Sequence, residues 1–180
     1  MKKKTRITKT IKAALKKNRF PFTISGAVLF GSQAAGKANR DSDVDLLVVA
    51  EPINPKRHRR TKEIMAIKRS LPGMAVDVLL LSSPEVISNF TNHNPLFLDI
   101  AEDGVVIEDV ENFLFNLMRQ TREYIKTKGI KRLNGGWQFP VVYRAAVSLS
   151  NVSNRDFAEA MLKDGERDFL IGRNAFPPLL

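Results

Sequence analysis

Three short apolar segments, each ending at or containing a residue that is unusual for a buried strand, constrain the fold of this chain most. They cover residues 25–30, 44–50 and 75–81. Their length and their content of valine and leucine predict buried β-strands. The first runs into Gly31, the second contains Asp45 and the third contains Asp77. An unpaired carboxylate in a low-dielectric interior is costly, so these acids need a shared compensation.

The spacing of the acids indicates what that compensation is. Asp43 and Asp45 are two residues apart, so in a strand their side chains leave from one face, with Cα atoms about 6.6 Å apart. Carboxylates at this spacing suit a pair of cations about 4 Å apart, and Asp77 from a neighbouring strand would complete the site. A site made only of oxygen favours Mg²⁺ or Mn²⁺ over zinc. We therefore expect two divalent cations, Mg²⁺ or Mn²⁺, held by these three aspartates.

The glycine at the end of the first segment predicts an adjoining phosphate site. Gly31 has no β-carbon, which lets a phosphate approach the backbone, and Ser32 adds free N–H groups and a hydroxyl if a helix begins there. Lys37 and Arg40 follow in the loop, where they are placed to neutralise phosphate oxygens, although solvated loop charges are the alternative. Ser42 is placed to bond either the backbone or a nucleotide oxygen. The predicted ligand is a triphosphate.

Together these segments form a known motif. Leu-Phe-Gly-Ser at residues 29–32 is followed, after ten residues, by Asp-Val-Asp-Leu at 43–46, and Val-Asp-Val stands at 76–78. The pattern resembles the nucleotidyltransferase signature of the DNA polymerase β superfamily, and it is most similar to the minimal nucleotidyltransferases, a small prokaryotic subgroup. The resemblance covers about residues 20–108. One departure is that arginines often follow the glycine–serine pair in such proteins, where this chain has Gln33, Ala34 and Ala35.

The resemblance implies an activity and a role for each motif residue. Such enzymes move a nucleoside monophosphate, often AMP from ATP, to an acceptor hydroxyl on a protein, an RNA or a small molecule, and release pyrophosphate. Asp43 and Asp45 would hold two Mg²⁺ ions. Asp77 would help to bind the catalytic metal and would activate the acceptor hydroxyl. Gly31 and Ser32 would bind the triphosphate.

The same resemblance implies a partner and leaves an alternative open. Many minimal members resemble toxin–antitoxin proteins that modify a helical HEPN-type partner, so we expect such a protein or an RNA as acceptor. The alternative is a catalytically weak module that binds nucleic acid or protein. A pure binding module has no evident use for three clustered acids, which favours the enzyme.

The elements around the motif predict an α/β fold. We expect a mixed sheet of four or five strands with helices mainly on one face, followed by a helical C-terminal region. The predicted parts are a basic N-terminal helix (1–20), a nucleotidyltransferase domain (21–108) and a helical region (109–180). The predicted helices cover 5–18, 56–70, 83 onward with Ser83 as its N-terminal cap, 95–102 and 109–128. Further helices are expected at 141–149 and 155–171, and a fourth strand covers 104–107.

Charge is concentrated at the N-terminus. Nine of the 29 basic residues lie in residues 1–20, where no acid occurs, so the rest of the chain is nearly neutral. Such an arm suits contact with nucleic acid, and a solvated helix face is the plainer interpretation. The chain has no cysteine and two histidines, which excludes disulfides and disfavours a zinc enzyme. No apolar run approaches the roughly 20 residues of a membrane span, so we expect a cytoplasmic protein.

Overall fold

The computed structural model describes residues 2–39, 42–134, 136–142 and 145–146, and its centre is a four-stranded mixed sheet. The strands are β1 (Thr23–Phe30), β2 (Val44–Glu51), β3 (Val76–Leu81) and β4 (Val105–Asp109), in the spatial order β3-β2-β1-β4. Strand β1 runs antiparallel to β2 and β4, whereas β2 and β3 are parallel. The predicted mixed α/β sheet is thereby confirmed.

Six α-helices and several shorter elements surround this sheet in the described residues. The helices are α1 (Lys2–Lys17), α2 (Gly31–Ala35), α3 (Thr61–Arg69), α4 (Ser83–Thr91), α5 (Pro95–Asp103) and α6 (Phe113–Lys128). Short 3-10 turns cover Arg57–Arg59 and Val110–Asn112. Two strand pairs follow α6: β5 (Lys131–Leu133) with β6 (Gly136–Gln138), and β7 (Val141–Val142) with β8 (Ala145–Ala146).

The helices cover both faces of the sheet. In β2, Leu46 and Val48 belong to one buried cluster with residues of α1 and α3, whereas Leu47 and Val49 belong to another with residues of α4, α5 and α6. The prediction placed helices mainly on one face, whereas the structure places residues of α1, α2 and α3 in the first cluster and residues of α4, α5 and α6 in the second. The reason is visible in β2 itself, because a strand that is apolar at nearly every position must be buried on both sides.

The C-terminal part of the chain combines a helix with short strands. Helix α6 matches the predicted helix over 109–128, although it begins at Phe113 after a 3-10 turn. Where a helix was expected at 141–149, the described residues form β7 and β8, since the β-branched Val141 and Val142 favour extended backbone. The helix expected at 155–171 lies outside the described residues. The chain divides into two units, 1–149 and 150–180, and the described residues belong to the first.

A buried arginine fixes the loop after β2 to the start of α4. Arg60 is 2% exposed, donates to the backbone oxygens of Asn54 and Leu80 at 2.6 and 3.0 Å, and pairs with Glu85 at 2.7 Å. Glu85 also accepts from the backbone N–H of Ser82, the residue that caps α4, so the cap lies one residue before the expected Ser83. Burial opposes ionisation of Glu85, but the hydrogen bonds to Arg60, Arg57 and Ser82 together lower its pKa to about 2.

Replacing Glu85 with glutamine is expected to destabilise the fold by about 2 kcal/mol, because it leaves the charge of Arg60 buried without its partner. Because the folded-state pKa lies below the ordinary value of 4.5, the wild type has this stabilisation above about pH 4.5 and loses it as the pH falls toward about 2. Chemical denaturation at several pH values measures both effects. A Glu123→Gln control removes an exposed carboxylate and should change little; equal effects of the two substitutions would contradict the role of Arg60 and Glu85.

Candidate active site

The register of β2 and β3 brings two of the three predicted carboxylates together. Asp45 and Asp77 are direct partners in the parallel pair, so their side chains leave the same face of adjacent strands, whose backbones lie about 4.8 Å apart. Asp43 lies just before the first residue of β2. Asp45 is half-buried, while the Asp77 side chain is 78% exposed at the edge of the sheet. One acid is therefore sheltered and another is open to solvent.

The electrostatics of Asp45 link all three acids. Burial raises the pKa of Asp45, and the negative charges of Asp77 and Asp43 raise it further. Since only nearby charges act in this way, the three carboxylates form one interacting group. Their mutual repulsion is what a divalent cation bound among them would relieve.

Gly31 is fitted against Asp45. It begins α2 with φ +65°, in the left-handed region that favours glycine, and a β-carbon built there would overlap Asp45 Oδ2. The preceding residue, Phe30, is the register partner of Asp45 across β1 and β2. The pairing of β1 with β2 therefore places the turn at Gly31 directly against the Asp45 carboxylate. Only glycine leaves room for that carboxylate.

A cavity of about 410 Å³ opens at this point. Part of its lining comes from β1, α2, β2 and the loop after α2, and includes Gly31, Ser32, Lys37 and Asp45. Four of the predicted site residues therefore share one cavity. The rest of the lining comes from α5 and β5, namely Leu96, Asp99, Asp103 and Arg132.

The second half of the lining was missed by sequence reasoning. Arg132 Nη2 lies 2.7 Å from Asp99 Oδ1, and Arg132 Nη1 pairs with Asp103 Oδ2. Trp137, the register partner of Arg132 in the hairpin, donates from Nε1 to Asp99 Oδ1 at 3.2 Å. Asp99 and Asp103 are four residues apart on α5, which signals a shared helix face. No sequence signal pointed to Arg132, because it reaches the cavity only through the docking of the β5–β6 hairpin.

The remaining predicted phosphate ligands have different positions. Ser42 closes its own loop: its hydroxyl donates to Asn39 Oδ1 at 2.7 Å and accepts from the Asn39 N–H at 2.9 Å. It thus makes a local contact with Asn39, and its predicted contact with a nucleotide stays a prediction. Arg40 lies outside the described residues. Ser32 lines the cavity, and its carbonyl accepts from the N–H of Lys37 at 3.0 Å, which holds the loop after α2 close to the turn.

The donor set suits a hard divalent cation, although the acids are not gathered into a closed cage. Throughout the described part of the chain, no three His, Asp or Glu side chains stand close enough to enclose a metal ion. Asp77 Oδ1 instead lies 3.7 Å from Lys68 Nζ on α3. The three acids nevertheless repel one another and offer only oxygen ligands, which matches Mg²⁺ or Mn²⁺ chemistry.

Comparison with known proteins decides the family. A family model described as a nucleotidyltransferase domain matches residues 9–115, more than half of the chain. The chain belongs to this nucleotidyltransferase family. The predicted resemblance is thereby confirmed, and so is the prediction that the protein is a nucleotidyltransferase enzyme.

Individual relatives of this nucleotidyltransferase include one curated protein. A proposed protein adenylyltransferase of Methanocaldococcus jannaschii is 29% identical over 113 residues, which cover 61% of this chain and 76% of the relative. The crystal structure of a toxin–antitoxin with AMP-PNP is 17% identical, covers 68% of this chain and 92% of its own, and gives a TM-score of 0.42. A tri-AMPylated Shewanella oneidensis HEPN toxin in complex with an MNT antitoxin gives 16% identity, 69% and 87% coverage, and a TM-score of 0.40.

No helix among the described residues of this nucleotidyltransferase is long and apolar enough to cross a membrane.

Proposed function

We propose that this nucleotidyltransferase transfers AMP from ATP to a hydroxyl group of a protein, with a divalent cation bound at its three aspartates. The observation that carries the proposal is the half-buried Asp45, coupled to Asp43 and Asp77 and pressed against the Gly31 turn at a cavity that Lys37 also lines. The choice of AMP and of a protein acceptor is supported by the description of the relative from Methanocaldococcus jannaschii.

Asp43, Asp45 and Asp77 would hold the metal, and Mg²⁺ is the expected ion. When bound there, a divalent cation supplies positive charge to the phosphate oxygens and relieves the repulsion among the three acids. The prediction of two such ions rests on the spacing of Asp43 and Asp45 together with the family resemblance.

The cavity lining orients the nucleotide. The backbone at Gly31 leaves room for a phosphate, Ser32 offers its hydroxyl, and Lys37 brings a positive charge. On the other part of the lining, the two negative charges of Asp99 and Asp103 exceed the single positive charge of Arg132, which disfavours phosphate there. The triphosphate therefore lies against the α2 side of the cavity, and the nucleoside lies toward α5.

Asp77 is suited to activate the acceptor. Its side chain is 78% exposed on an edge strand, so a hydroxyl of another molecule can reach it from solvent. In the proposed reaction Asp77 accepts the proton of the acceptor hydroxyl, whose oxygen bonds to the α-phosphorus of ATP. The bond from that phosphorus to the bridging oxygen breaks, and pyrophosphate leaves with the electron pair.

The test uses ATP labelled at either the α- or the γ-phosphate, with Mg²⁺ and fractionated cell protein. The α-label should become attached to a protein band that nuclease does not remove, while the γ-label should appear only in pyrophosphate. Asp43→Asn should abolish the attachment, because one of the metal-holding carboxylates is lost. Transfer of the γ-label, recovery of the α-label in nucleic acid, or full attachment by Asp43→Asn would each refute the proposal.

The HEPN-type partner stays a prediction. A purified HEPN protein is a natural addition to the fractions tested, because a labelled band at its mass would name the acceptor directly.

A further inference from the structure

Two basic helices, α1 and α3, lie on the same face of the sheet. Ile11 and Leu15 of α1 are buried in one cluster with Ile67 of α3 and the following Leu71. Helix α1 contacts β4 and helix α3 contacts β3, which are the two edges of the four-stranded sheet. The helices therefore stand side by side across the whole width of this face, and their opposite sides point outward.

The exposed side chains of this face are predominantly cationic. We call basic face the exposed cations of residues 5–17 of α1 and 61–69 of α3 that form no ion pair within the described chain: Arg6, Lys9, Lys17, Lys62 and Arg69. Lys12 and Lys16 share Glu108, and Arg57 pairs with Glu85. These two segments contain one acid, Glu63, whose Oε1 accepts from the N–H of Asn54.

The arrangement on each helix directs the charge away from the sheet. Lys9 lies about half a turn around α1 from the buried Ile11 and Leu15. On α3, Lys62 and Arg69 are seven residues apart, so they lie on one line, opposite the buried Ile67. Helix α1 alone is about 24 Å long, since its 16 residues rise about 1.5 Å each. The positive surface is therefore long as well as dense.

We propose that the basic face binds the phosphate backbone of double-stranded nucleic acid. A duplex carries closely spaced charge along its length, which matches cations distributed over two helices. Neither α1 nor α3 contains an aromatic residue on which unpaired bases would stack. Insertion into a lipid surface is disfavoured, because the apolar stripe of α1 is already buried against the sheet.

This interaction goes beyond the proposed transfer reaction and uses the other side of the sheet. Asp45 lies on the same face of β2 as Leu47 and Val49, and this face packs against α4, α5 and α6. A duplex on the basic face would leave the cavity with Gly31 and Lys37 open. Binding and transfer can therefore be measured separately.

The experiment measures the affinity of the full chain for fluorescent duplex RNA and duplex DNA of mixed sequence at several salt concentrations. If about four phosphates are contacted, the dissociation constant should rise about 100-fold between 50 and 200 mM salt. The double variants Lys9→Gln with Lys17→Gln, and Lys62→Gln with Arg69→Gln, should each weaken binding about tenfold or more and reduce the magnitude of the salt slope by about 2.

The matched control removes two charges from the opposite side. Lys126→Gln with Lys128→Gln changes exposed lysines of α6 and lowers net charge by the same amount. Affinity should then change less than about threefold. Thermal unfolding of each variant shows whether the fold is kept.

Three results would overturn the proposal. One is equal weakening by the control pair, which would mean a general effect of net charge. The second is an unchanged affinity in either helix pair, which would mean that α1 and α3 do not act together. The third is stronger binding to vesicles of anionic lipid or to an acidic protein than to the duplexes, which would assign the face to another partner.

Discussion

Asp45→Asn is expected to slow AMP transfer by about a thousandfold while leaving the protein more stable in metal-free buffer. The loss corresponds to about 4 kcal/mol, which is within the several kcal/mol that a metal at a phosphoryl-transfer site provides. The gain in stability follows from the raised pKa of Asp45, because burial and the charges of Asp77 and Asp43 all disfavour its ionised form. An asparagine of the same shape removes that repulsion.

Two measurements check this pair of effects. Transfer is followed with α-labelled ATP, and the midpoint of thermal unfolding is recorded in the presence of a chelator. The control Glu123→Gln removes an exposed carboxylate of α6 and should change neither quantity appreciably. An Asp45→Asn protein that is less stable than the wild type, or that transfers AMP at the normal rate, would remove Asp45 from the proposed site.

Gly31→Ala is expected to reduce transfer by about a hundredfold and stability by about 2 kcal/mol. Part of the stability loss comes from the φ of +65°, since the left-handed region costs a residue with a β-carbon about 1 kcal/mol. The rest comes from the overlap of the new β-carbon with Asp45 Oδ2, which forces the carboxylate to move. Transfer should fall because the carboxylate is displaced, although no charge has been removed.

Gly36 offers a matched control for that collision. It has φ +75°, but a β-carbon built there meets no atom within 4 Å. Gly36→Ala should therefore show the backbone cost of about 1 kcal/mol and keep nearly full activity. If the two alanine variants behave alike in both assays, the contact between Gly31 and Asp45 is not what determines activity.

The sequence was sufficient for the parts of the site that lie close to the strands. Side-chain alternation along a strand predicted that Asp43 and Asp45 leave from one face, and Asp77 was expected from a neighbouring strand; the structure pairs Asp45 with Asp77 in register. The glycine turn could also be placed, because it follows directly on β1. These features depend on local spacing, which a single sequence carries.

What the sequence did not reveal depends on contacts between distant segments. Arg132 lies about 30 residues beyond Asp99 and Asp103, and only the docking of the hairpin brings them together. The sequence prediction placed the cap of α4 at Ser83, one residue after the observed Ser82, because two adjacent serines offer the same capping hydroxyl. The distribution of helices over both faces required knowing how α4, α5 and α6 pack, which the spacing of their apolar residues does not determine.

The hairpin that carries Arg132 lies beyond residue 115, where the match to the family ends, yet it lines the same cavity as Gly31. A shortened protein cut at the family boundary would keep the aspartates and the glycine turn but would lose one wall of the cavity. A minimal catalytic fragment of this enzyme must therefore extend at least through Trp137. The residues that match the family and the residues that line the cavity are different sets.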